Sequence, residues 1–139
     1  MAVLAIVVVG IAAGRSRSGS GSDRAAVRSA PHCAQPAQRV NRPDAVPAEL
    51  LPSGTVLTSR MNLPEQRTLV TGVIPLAFPN AVHFYSAGLP KAGYQLGLGD
   101  AEMTEAEALF LGARVSGKWK VNGIPNCAGA VTLTLMVEG

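Results

Sequence analysis

Residues 131–137, which read Val-Thr-Leu-Thr-Leu-Met-Val, decide the fold class. Apolar side chains at every second position of this stretch alternate with two threonines. Strict alternation is typical of a β-strand with one buried face and one solvated face. Residues 117–121 (Gly-Lys-Trp-Lys-Val) show the same pattern, with Trp119 and Val121 opposite two lysines. Both stretches therefore predict strands of an antiparallel sheet that covers a core on one side.

Four more strands are predicted upstream of these two. Residues 55–61 and 67–74 are rich in β-branched side chains, and the turn sequence Asn-Leu-Pro-Glu-Gln separates them. This combination predicts a β-hairpin. Residues 94–98 and 107–113 predict the third and fourth strands.

One helix is predicted between the second and third strands. Pro79 suits the first turn of a helix, and Gly88, Pro90 and Gly93 close the segment. Within 80–89, one helical face carries the apolar side chains of Ala81, Val82, Tyr85 and Leu89. The predicted fold class is therefore α+β: a twisted, mostly antiparallel sheet in the order ββαββββ, with one helix on its apolar face.

The N-terminal residues 1–14 are almost wholly apolar. They are too short for a membrane-spanning helix, which needs about 20 apolar residues. Their length suits the apolar core of a signal peptide, about 7–15 residues. We therefore expect an apolar helix that acts as a signal or membrane anchor, and a protein that is secreted or attached to the cell membrane. Arg15 and Arg17 follow this segment and leave its orientation open.

The chain divides into three parts by composition. After residues 1–14, residues 15–49 are polar and contain the run Arg-Ser-Arg-Ser-Gly-Ser-Gly-Ser and several prolines. Such a composition predicts a disordered linker with extended, spacer-like backbone. Residues 50–139 are predicted to form the single folded domain.

The distribution of charge argues against a nucleic-acid partner. From residue 50 onward, six basic residues balance six acidic ones. The net charge of +3 comes from residues 15–49, where six arginines face three acidic residues. A basic stretch beside an apolar segment is typical of contact with lipid headgroups. We therefore expect the membrane, rather than DNA or RNA, as the partner of this stretch.

The chain has two cysteines, Cys33 and Cys127. In an exported chain two cysteines predict one disulfide, here closing a loop of roughly 94 residues. Two alternatives are a pair of free thiols and a zinc or copper site that would also use His32 and His83. The spacing has none of the short Cys or His pairs of zinc sites, so no metal or other cofactor is predicted.

The sequence contains little evidence for catalytic residues. No Gly-x-Ser-x-Gly motif is present, and His83 is the only histidine after residue 50. An acid–base pair is conceivable among Glu102, Glu105 and Glu107, but these residues are better explained as a solvated turn before a strand. Three aromatic residues are either part of the core or the floor of a ligand site: Tyr85, Tyr94 and Trp119.

A resemblance to known proteins is carried by three stretches. These are residues 81–94 (Ala-Val-His-Phe-Tyr-Ser-Ala-Gly-Leu-Pro-Lys-Ala-Gly-Tyr), residues 117–121 and the stretch Asn-Cys-Ala-Gly-Ala-Val-Thr-Leu-Thr. They resemble a group of small exported proteins of high-GC bacteria with a membrane or lipoprotein leader. The resemblance covers about residues 50–139 and implies export but no particular chemistry. Arg15 stands where a lipoprotein has its acylated cysteine.

Three functions remain open from the sequence. The first is a non-enzymatic envelope domain that binds a partner protein or a small apolar ligand through its sheet or its helix–sheet groove. The second is an enzyme acting outside the cytoplasm, and the third is a cytoplasm-facing tail of a membrane assembly. Because no nucleophile–base pair is recognisable, we expect the first.

Overall fold

The computed structural model of the protein describes residues 28–139. The strands are β1 Val56–Leu63, β2 Arg67–Ile74, β3 Gln95–Ala101, β4 Glu105–Leu111, β5 Ser116–Ile124 and β6 Cys127–Glu138. They form one sheet in the order β1-β2-β6-β5-β4-β3, and every neighbouring pair is antiparallel. One helical segment of residues 78–91 follows β2. An α+β fold with a mostly antiparallel sheet is therefore confirmed.

The alternating pattern of β6 sets the two faces of the sheet. The helix covers the inner face, where Val131, Leu133, Leu135 and Val137 are each at most 1% exposed. Thr132 and Thr134 lie on the opposite, outer face and are exposed. Because β6 lies between β2 and β5, both of its backbone edges are hydrogen-bonded, and its apolar side chains lie at the centre of the core.

The helical segment, called α1, packs one apolar side on the inner face. It runs through an α-helical part Phe78–His83, a wider π-helical turn Phe84–Gly88 and a last turn Leu89–Lys91. Ala81, Tyr85 and Leu89 are at most 1% exposed. The π turn falls just before Pro90, which has no N–H and whose ring would crowd a regular α-helix.

A glycine ends α1 and directs the chain into β3. Gly93 has φ 95°, a left-handed conformation that suits glycine best. The N–H of Gly93 donates to the carbonyl of Pro90 at 3.1 Å, and that of Tyr94 donates to the carbonyl of Leu89 at 3.0 Å. These two bonds form a Schellman motif, which places Tyr94 over the end of the helix.

Residues 28–50, called the strap, pack against the sheet. On the outer face, Ala30 and Ala34 pack against Val73 of β2. The strap then passes the edge of β1 and reaches the inner face, where Val46 and Leu50 are completely buried in the main core. The strap and strands therefore share one core.

The prediction of a disordered linker up to residue 49 is thus not met for residues 28–49. The prolines of this stretch do favour extended backbone, but the apolar side chains between them bind that backbone to the sheet. The average composition of residues 15–49 does not reveal that Val46 is a residue of the core. The signal or anchor predicted at 1–14, and the linker at 15–27, lie outside the described residues. Within residues 28–139, no helix is both long and apolar enough to cross a membrane.

Candidate functional site

The two cysteines form a disulfide that ties the strap to the sheet. Cys33 lies in a short 3₁₀ turn, His32–Ala34, and Cys127 begins β6. Their sulfurs are bonded and their Cα atoms are 5.7 Å apart, within the limit of about 7 Å for a bridge without backbone movement. The predicted disulfide is confirmed. Because the two sulfurs are bonded to each other, this arrangement excludes the alternatives of free thiols and of a metal site built on these cysteines.

The three aromatic candidates lie in the core. Tyr85 is completely buried, Trp119 is 3% exposed and Tyr94 is 8% exposed. The rings of Tyr85 and Trp119 stack with centroids 4.8 Å apart. The alternative of an aromatic floor facing a ligand is therefore not supported for Tyr85 and Trp119, because α1 covers that face of the sheet.

The two tyrosines instead hold the strap. The hydroxyl of Tyr85 donates to the carbonyl of Leu50 at 3.0 Å, and that of Tyr94 donates to the carboxylate of Glu49 at 3.0 Å. Burial raises the pKa of the Tyr85 hydroxyl. Burial, together with the hydrogen bond to Glu49 and its charge, also raises the pKa of Tyr94. Both hydroxyls are thus kept protonated, as donors require.

A depression of about 530 Å³ lies between the strap, the end of α1 and the β4–β5 turn. Its polar side chains are Asp44, Glu49, Tyr94 and Arg114. Because Tyr94 and Glu49 bond to each other, their polar atoms are committed to the strap. The lining contains no serine, cysteine or histidine, so it carries no nucleophile–base pair of the usual kind. The helix–sheet groove, the other predicted ligand site, is filled by the side chains of Val46 and Leu50.

The glutamates of β4 form a ladder of ion pairs on the outer face. Lys118 lies 2.7 Å from Glu107, and Lys120 lies 2.8 Å from Glu105. Asn122 also donates to Glu105, and the hydrogen bonds from Lys120 and Asn122 lower the pKa of this carboxyl group. Glu105 and Glu107 are thus partners of lysines across the strands rather than an acid–base pair.

The two edges of the sheet differ in how they are covered. At β1, the N–H of Val40 in the strap donates to the carbonyl of Leu57 at 2.9 Å. The side-chain amide of Gln38 donates to the carbonyl of Thr58 at 3.0 Å. At the opposite edge, all seven residues of β3 are exposed. Unpaired backbone groups along an edge strand are a template for adding another strand.

Large exposed apolar side chains concentrate beside the open edge. The described residues contain six of them, and five belong to the β3–β4 hairpin. We call this group the β3 patch: Leu96, Leu98, Met103, Leu109 and Leu111. Leu98 is 87% exposed and Met103 is 94% exposed, whereas Met61 on β1 is the only member of the six elsewhere. These residues carry no distinguishing signal in the sequence, because their alternation alone does not reveal which strand is an edge.

No family model matches the chain, and neither a curated protein nor a solved structure matches it at a significant level. The function is therefore inferred from the described residues themselves.

Proposed function

We propose that the protein is an extracytoplasmic binding domain, exported or anchored through residues 1–14, that binds a protein segment at the edge of β3. The role is one of binding rather than of catalysis. The observation that carries the proposal is the open β3 edge with its apolar surroundings. The strap covers part of the β1 edge, while β3 has no comparable cover among the described residues.

The chemistry of β3 fits recognition by strand addition. In this mode, backbone hydrogen bonds supply affinity and neighbouring side chains supply specificity. Natural edge strands are usually protected by lysines, prolines or a covering segment. The sequence of β3, Gln-Leu-Gly-Leu-Gly-Asp-Ala, contains neither lysine nor proline. Burial of the β3 patch by a partner would remove a concentrated apolar surface from water.

The other candidate surfaces are less suited to a small apolar ligand. Val46 and Leu50 fill the helix–sheet groove, and two of the four polar side chains of the depression, Tyr94 and Glu49, bond to each other. The charged lining of the depression suits a small apolar ligand less well than the β3 patch suits an apolar strand.

The disulfide supports the extracytoplasmic location. Disulfides persist in oxidising compartments and are rare in the cytosol, where thiol pools reduce them. Cys33 is exposed at the surface, so such a pool would have access to the bridge. The apolar residues 1–14 provide the means of export or attachment.

A photoreactive amino acid placed at position 98 in producing cells tests the binding surface. We expect irradiation to yield a discrete protein adduct, because Leu98 lies within the proposed contact. The matched control is the same amino acid at position 61, since Met61 is also an exposed apolar residue but lies on β1. We expect no comparable adduct there. No adduct at position 98, or equal yields at both positions, would contradict the proposal.

A further inference from the structure

We infer that the partner at the β3 edge is a second copy of this chain, paired with its β3 antiparallel to the first across a two-fold axis. This inference rests on the proposed function and names the occupant of the same surface. The pairing would join the two six-stranded sheets into one continuous sheet.

The apolar residues around β3 suit contact with the same residues of a second copy. A two-fold interface brings the same patch of both subunits together, so this patch must be self-complementary. Leu96 pairs with the buried Phe110 and lies toward the inner face, whereas Leu109 and Leu111 lie on the outer face of β4. Apolar side chains thus flank the edge on both faces. A second copy offers the same arrangement and would cover both sides at once.

The charges along the edge favour the antiparallel orientation. Near the start of β3 lies Lys91, at the end of α1, while Arg114 shares its depression with the acidic Asp44 and Glu49. Near the end of β3 lie Asp100 and Glu102. Among the described residues, no ion-pair partner is found for Lys91, Asp100 or Glu102.

A two-fold antiparallel pairing places Lys91 of one copy beside the acidic end of the other β3. A parallel pairing would place like charges together, which is unfavourable. The charge pattern is therefore complementary to itself in one orientation only. This complementarity favours a second copy over an unrelated strand.

The local irregularity of β3 limits the strength of the contact. The register of β3 against β4 shifts between Leu96 and Gly99, and such a bulge interrupts a flat edge. The ladder between two copies is therefore short, and short interfaces of this kind are weak. We expect a reversible dimer whose population rises with protein concentration.

Sedimentation of the oxidised full chain, from about 10 μM to about 1 mM, tests the inference. We expect the average mass to rise toward that of two chains. Leu98→Lys adds a charge at the centre of the edge and should weaken the dimer by at least about tenfold, because edge lysines oppose strand pairing. The control Met61→Lys adds the same charge on β1 and should leave the association unchanged.

A charge exchange tests the orientation. Lys91→Glu and Glu102→Lys should each weaken the dimer at low ionic strength, because each places like charges together at both ends of the interface. The double variant restores opposite charges and should recover the association. An unchanged melting temperature of each variant shows that the fold is intact.

Several results would overturn the inference. These are a monomer at all concentrations, equal losses from Leu98→Lys and Met61→Lys, or a double variant weaker than both single variants. The photochemical adduct at position 98 separates this inference from the proposed function. An adduct of twice the chain mass supports both. A discrete adduct of another mass overturns the second copy but keeps the binding function, and no adduct overturns both.

Discussion

Removal of the Cys33–Cys127 disulfide is expected to lower the free energy of unfolding by about 4–5 kcal/mol. The bridge spans 94 residues, and the chain-entropy model gives a loss of this size for a loop of that length. The effect arises mainly because the bridge restricts the unfolded chain. The folded sheet should therefore keep its circular dichroism spectrum while the melting temperature falls.

Denaturant unfolding of the oxidised protein, the reduced protein and the double variant Cys33→Ser/Cys127→Ser measures this loss. The double variant should resemble the reduced protein, and the reductant should have no effect on it. This second comparison separates loss of the bridge from other effects of the reductant. A loss below about 1 kcal/mol would show that the bridge contributes less than the chain-entropy model allows.

The second large effect is expected in the core of β6. Leu133 is 1% exposed and lies at the centre of the inner face, so Leu133→Ala should cost about 2–5 kcal/mol through lost burial and a residual cavity. Its neighbour Thr134 lies exposed on the outer face. Thr134→Ala should cost less than about 0.5 kcal/mol, as most surface substitutions do. Thermal or denaturant unfolding of both variants gives the comparison, and equal losses would contradict the assignment of the two faces.

Strands with clear alternation could be predicted from the sequence. In β6 and β5, apolar side chains at every second position match the observed inner face, including Trp119 and Leu133. The sequence predicts a helix at residues 80–89, whereas the observed segment spans 78–91 and is ended by the Schellman motif at Gly93 rather than by Gly88 or Pro90. Its buried face follows the spacing of Ala81, Tyr85 and Leu89.

Features that depend on contacts between distant residues were harder to predict. Val46 of the strap is completely buried because it packs in the main core with residues far along the chain. The hydrogen bonds from Tyr85 and Tyr94 to the strap join residues 35 and 45 positions apart. No local pattern encodes such pairs.

The position of β3 at an edge is likewise a property of the whole sheet. The prediction placed a third strand at 94–98, close to the observed Gln95–Ala101, but strand order was not predicted. After α1 crosses the sheet, the chain returns through β4 and β5 to pair β6 with β2. This path leaves β3 outermost and exposes Leu98. The candidate site therefore depends on the strand order, which the local sequence patterns do not encode.

The location of the domain can be tested by the state of its cysteines in the cell. Rapid acid quenching of producing cells, alkylation under denaturing conditions and intact-mass measurement report whether Cys33 and Cys127 are bonded before any later oxidation. For a domain that functions outside the cytoplasm, we expect no alkylated cysteine before reduction and two after it. Two alkylated cysteines without reduction would contradict the extracytoplasmic, disulfide-closed domain proposed for this protein.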